Sequence, residues 1–162
     1  MIDFFHKSAA MTKKITGTAK LKGTPVVHAR SPWRITAVGT FYDEEDALRS
    51  ILLEVSDTEE SRRKGLMGRK VVPSVCGMLF RGLSGGGTFW MKGCLVPIDV
   101  AFLRKNGTIS KIYTMQADGG KKRYEYDEED VSAVETAAGF FSGNGIVAGF
   151  KLKTRSLSRK EG

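Results

Sequence analysis

Hydrophobic positions along this chain come in short runs separated by Gly, Pro, Asn and Asp. Such a pattern predicts strands separated by turns. Ile51–Ser56 reads as a strand. The most apolar section, Thr88 to Leu103, is interrupted by Pro97 and so predicts two strands, or a strand and an extended loop. Asn106-Gly107 is a hairpin signal between 101–103 and 109–113. Cys76–Leu79 leads into Phe80, and Val131–Phe141 reads as a strand followed by a short helix. Phe150 and Leu152 suggest a closing strand. Within residues 26–42, short β-like runs flank Pro32, which bars a central strand at that point.

Helical signals are few. Asp43 to Asp46 resembles an acidic helix start or a turn. Asp57 or Thr58 caps a short helix through Glu59 to Lys64, ending at Gly65 or Gly68. Ser61 stands where a capping box carries its acid, so this helix is expected to be weak. Val71-Val72-Pro73 and residues 116–123 read as connections, and Asp127 to Asp130 as a solvated charged loop. The expectation is a mainly β protein, a compact β-sandwich or barrel-like domain with a few short helices. A basic, flexible arm over residues 1–24 precedes this single domain (25–153), and a polar tail (154–162) follows it.

Composition sharpens this picture. With 162 residues there is material for one substantial core. At 41% hydrophobic and 27% charged, the chain is too apolar for general disorder. Nineteen glycines favour turns over long helices. No window approaches the roughly 18 apolar residues of a membrane span, and no apolar stretch follows the N-terminal lysines as in a secretory signal. No membrane association is therefore expected, and the location is cytoplasmic or within an assembled virion. The net charge of +8 is spread along the chain. It suits an anionic partner, but no basic helix, zinc-finger spacing or aromatic-glycine motif accompanies it, leaving nucleic acid a weak alternative.

Candidate chemistry is sparse. Cys76 and Cys94 allow one disulfide if their Cα atoms come within about 7 Å; two buried free thiols are the alternative. His6 and His28 both precede the domain, which leaves it without an imidazole for Cys/His or Ser/His/Asp catalysis. No spacing suggests a zinc or calcium site, and Gly85 to Gly87 lack the rest of a nucleotide-binding motif. Neither a metal nor a cofactor is expected.

Four ordered blocks carry more information: GLMGR (65–69), GMLF (77–80), FWMK (89–92) and PIDVAF (97–102). Later come the Asn106-Gly107 turn, Glu135, Ala138-Gly139 and the Gly145 to Gly149 segment. In order and spacing the chain resembles the domain of unknown function 192 family over roughly residues 50–153. The resemblance implies a compact, mainly β fold and no particular mechanism. Two departures stand out: Gly93-Cys94 occupies the place of the family's usual Asn-Thr, and Met115 to Asp118 stands near its usual proline-cysteine segment.

Arg69, Lys92 and Asp99 lie in these blocks beside hydrophobic residues. They read either as a pocket for a small anionic ligand or as a structural set in which Asp99 pairs with Arg69 or Lys92. Met67, Met78, Trp90 and Met91 suit a core or an adaptable apolar groove, and Trp90 would join the ligand-binding set. The leading functional expectation is a non-enzymatic structural or protein-binding module within a larger assembly, a virus or phage particle being one setting. A soluble accessory protein binding a small anion is the alternative.

Overall fold

The computed structural model describes residues 32–44 and 46–157. The arm expected over residues 1–24 and both histidines lie outside them. Nine strands and two short helices follow in the order β1 (Ile35–Asp43), β2 (Asp46–Ser56), α1 (Glu59–Lys64), β3 (Cys76–Arg81), β4 (Gly87–Trp90), β5 (Ile98–Arg104), β6 (Ile109–Met115), β7 (Arg123–Tyr126), β8 (Asp130–Ala137), α2 (Phe140–Gly143) and β9 (Lys151–Ser156). Pro97 falls between β4 and β5, as a residue without a backbone N–H should. The 43–46 segment is the turn of a hairpin and starts no helix, because Asp46 already pairs with Asp43 across the β1–β2 ladder. Strand β9 runs through Ser156, paired with Ala37. Residues 154–156, expected in the polar tail, therefore belong to the sheet.

Seven strands form one sheet in the order β6-β5-β8-β3-β2-β1-β9, and β4 and β7 form a second, two-stranded one. The arrangement is sandwich-like and mainly β. The large sheet curls until its edges meet at the Thr108–Lys151 bridge, supported by Ile109 N–H to Phe150 O at 2.8 Å and Leu152 N–H to Gly107 O at 2.9 Å. It does not close into a barrel.

Strand alternation sorts the core into two clusters, one on each face of the large sheet. One face gathers Phe41, Leu53, Leu79, Leu103 and Val134 around Phe140 and Phe141 of α2. The other carries Met78, Phe80, Val100, Phe102 and Ala133, and is covered by Met91, Tyr124, Phe89 and Tyr126 from the small sheet and its flank. Phe89 stands edge-on to both Phe80 (5.2 Å) and Phe102 (5.1 Å), an arrangement that complements ring quadrupoles.

β2 and β3 are parallel, so the chain must cross over between them, and α1 sits in that crossover. Its capping box uses two hydroxyls: Ser61 N–H donates to Thr58 Oγ1 and Thr58 N–H donates to Ser61 Oγ, each at 3.1 Å. Ser61 thus performs the reciprocal role for which the sequence offered no acid. Arg62 then latches the helix, donating from one guanidinium nitrogen to the carbonyls of Asp57 (2.8 Å) and Arg81 (2.9 Å).

The acidic 127–130 segment differs from a solvated loop at its last residue. Asp130 is fully buried; it accepts from Ser110 Oγ at 2.6 Å and from Asp127 N–H at 3.0 Å. The others match the expectation: exposed Asp127 pairs with Lys111 at 2.6 Å and Glu129 with Arg104.

Candidate functional site

The charged residues on the small-sheet face start from strand parity. On β2, Leu52, Glu54 and Ser56 share a face opposite Ile51, Leu53 and Val55; on β8, Ala133 and Glu135 share a face opposite Val134 and Thr136. Glu54 and Glu135 therefore point to the side covered by α1 and the small sheet. Arg69, on the connection after α1, donates to Glu54 Oε2 at 2.8 Å, with both side chains largely buried. Its guanidinium carbon lies 4.1 Å from the Trp33 ring centroid. Glu54 Oε2 also accepts from Arg34 N–H at 3.1 Å. A cation over an aromatic ring combined with a buried ion pair suits arginine better than lysine.

Arg69 Nη1 and Glu135 Oε2 are both buried without hydrogen-bond partners among the described residues. Burial pushes the Glu135 carboxyl up to about 8, and the Arg69 charge pulls it back only in part. At neutral pH Glu135 is consequently a neutral acid, able to donate a hydrogen bond. Cys94 is affected in turn: burial first, then the charge of Glu135, pushes its thiol up to about 11. Burial also raises Cys76, against a smaller opposing effect of Arg69. Both cysteines are free thiols, and in this state they are poor nucleophiles.

Glu135 and Cys94 line a cleft of about 300 Å³ between α1 and β4. Its walls include Leu66, Phe80, Phe89, Trp90 and Tyr126, and Arg62, Arg63, Lys64 and Lys92 bring positive charge to it. Not all of that charge is available. Arg62 is committed to backbone carbonyls and Arg63 pairs with Glu59 at 2.6 Å; Lys64 and Lys92, both exposed, carry no ion pair among the described residues. Trp90 is 45% exposed, with Arg123 Cζ 4.2 Å and Lys92 Nζ 5.3 Å from its ring centroid. These cations hold the indole at the rim.

Of the residues singled out from sequence, Lys92 and Trp90 meet at this cleft. Arg69 stands behind it, facing Glu54 and Trp33. Asp99 does not join them. It lies on the opposite face of the sheet, accepting from Thr114 Oγ1 at 2.7 Å and Phe141 N–H at 3.4 Å. The expected ion pair of Asp99 with Arg69 or Lys92 is therefore replaced by Arg69–Glu54 and by Asp99 anchoring α2. Met78 and Met91 are buried core residues, and Met67 lines the cleft. Among the described residues, no three His, Cys, Asp or Glu side chains gather as a metal-binding group.

The family model for DUF192, an uncharacterized ACR, matches residues 41–154. The chain belongs to the DUF192 family. Two solved structures share the fold. One is a candidate transcription regulator from Sinorhizobium meliloti 1021, 23% identical, with TM-score 0.68 over 75% of this chain and 95% of that one. The other is a protein of unknown function from Novosphingobium aromaticivorans DSM 12444, 23% identical, with TM-score 0.69 over 81% of this chain and 93% of that one. At these identities the likeness shows the fold alone. No curated protein matches the chain. Among the described residues, no helix is long and apolar enough to cross a membrane.

Within DUF192, the Gly93-Cys94 departure now has a physical reading. Gly93 has φ of 71°, in the left-handed region that glycine and asparagine tolerate best. Exchanging the family's usual Asn for Gly keeps that backbone geometry, and Gly93 O still accepts from Gly68 N–H at 2.8 Å. At the next position the hydroxyl of the usual Thr becomes a thiol lining the cleft.

Proposed function

We propose that this chain is a binding protein that takes a small organic anion in the cleft between α1 and β4. The observation that carries this reading is Glu135: a side chain 6% exposed, with an unpartnered buried carboxyl oxygen, lining a cavity rimmed by Lys64 and Lys92. A buried polar group without a partner costs free energy of about 1–3 kcal/mol. Such a cost on a cavity wall, beside aromatic surfaces and lysines without ion pairs among the described residues, fits a ligand that supplies the missing partner. The alternative of an assembly module, including a viral one, rests on residues 1–24, which lie outside the described residues. The cleft is built wholly from described ones.

The test is isothermal titration of the chain with benzoate, phenyl phosphate and hexanoate. Saturable binding of at least one, weakened about tenfold or more by Lys64→Glu with Lys92→Glu, is the expected result. Heats that stay flat for all three to millimolar concentration count against the cleft.

A further inference from the structure

The ends of the cleft differ, and the difference specifies more than an anion. Its rim holds the ammonium groups of Lys64 and Lys92, and its wall holds the carboxyl of Glu135. The rings of Phe80, Phe89, Trp90 and Tyr126 line the same cleft, surfaces that favour a flat, apolar body. Resting on the proposed anion-binding reading, we infer that the ligand is an aromatic carboxylate that enters with its far end first and presents a neutral hydroxyl or carbonyl oxygen to Glu135.

Three observations set this polarity. The carboxylate belongs at the rim, because there the lysine cations are exposed and without ion pairs among the described residues, while Arg62 and Arg63 are already engaged. A second anion at the buried end would give up its hydration there, which costs far more than burying a neutral oxygen. A cation there would enter the field of Arg69, whose guanidinium acts on Glu135 and whose Nη1 is buried and unpartnered. A neutral oxygen avoids both conflicts: it accepts from the protonated Glu135 and carries no charge to be desolvated. The size also agrees, since about 300 Å³ is at the lower end of cavities that hold small organic ligands.

The experiment compares three ligands of nearly equal shape at neutral pH: para-(hydroxymethyl)benzoate, para-ethylbenzoate and para-(aminomethyl)benzoate. Affinity is read by calorimetry, and occupancy by the change in indole fluorescence, since Trp90 lines the cleft. The hydroxymethyl compound is expected to bind about tenfold or more tightly than either of the others. In Glu135→Met its advantage over the ethyl compound disappears. That variant is expected to fold, since an apolar side chain of similar size replaces a carboxyl with no ion pair. Equal binding of all three to the parent protein overturns the inference while leaving the cleft an anion site. Tightest binding by the aminomethyl compound overturns it in favour of a zwitterionic ligand. If none binds and none changes the indole fluorescence, and benzoate, phenyl phosphate and hexanoate are silent as well, the anion-binding reading falls with it.

Discussion

At the scale of the residue, Glu135 dominates. Its carboxyl titrates from about 4.5 in the open chain to about 8 in the fold. Between those values the folded state holds more protons than the unfolded one, so stability is greatest in acid and falls as pH rises. The slope reaches at most about 1.4 kcal/mol per pH unit, with Arg69 moderating it and the neutral Cys94 thiol adding no charge of its own in this window. Glu135→Gln is expected to remove the dependence. Urea unfolding of variant and parent should agree within about 1 kcal/mol near pH 5, and the variant should lead by about 2 kcal/mol or more above pH 8. A parent whose stability stays level across that range would show the carboxyl to be solvated. Sequence reasoning reached half of this arrangement. A carboxylate inside an apolar run signals burial, and it marked Asp99 in PIDVAF. The same signal stands at Glu135 in VSAVETA, a position that entered only through the family pattern. Nothing local distinguishes the two, because both faces of the sheet are covered and the alternation that separates inside from outside loses its meaning. Only cross-strand register puts Glu135 on the cleft side and Asp99 beside α2.

At the scale of the element, α1 decides whether there is a cleft at all. A helix of six residues with no buried side chain is too short to stand alone, and it borrows order from its ends. The Thr58–Ser61 hydroxyl exchange closes the N-terminus. Gly65, at φ of 46°, turns the chain so that Leu66 enters the core while Lys64 stays at the rim. Thr58→Ala removes the acceptor of the Ser61 N–H and is expected to cost about 1 kcal/mol. Faster amide exchange at Ser61 and weaker benzoate binding should accompany that loss, because Arg62, Arg63 and Lys64 lose their fixed placement. Unchanged exchange would mean that the Arg62 bonds to Asp57 and Arg81 hold α1 by themselves. The sequence indicated this helix and its boundaries, since capping is local chemistry. It did not show Arg62 bonding to Arg81, nineteen positions along the chain.

At the scale of the whole molecule, turn residues made most of the strands legible: Pro97 and Asn106-Gly107 mark breaks that the backbone obeys. Strand order was not legible. The parallel β2–β3 pair and the insertion of β8 between β3 and β5 depend on contacts far apart in sequence, to which short-range patterns are blind. The meeting of the sheet's edges is another such contact, and it depends on one glycine. Gly107 has φ of 82°, and a Cβ there would stand 2.5 Å from the backbone oxygen of Leu152, a group that cannot swing aside as a side chain would. Gly107→Ala must therefore adopt a disfavoured backbone conformation and also push β9 away from the β5–β6 turn, breaking the Leu152–Gly107 hydrogen bond. The expected loss is about 2–4 kcal/mol, seen as a lower melting temperature and as rapid amide exchange at Leu152. Because β9 borders the face opposite the cleft, benzoate binding below the melting transition should be unaffected. If binding fails together with the edge contact, the two faces of the sheet form one cooperative unit, and the cleft depends on the curl as well as on its own walls.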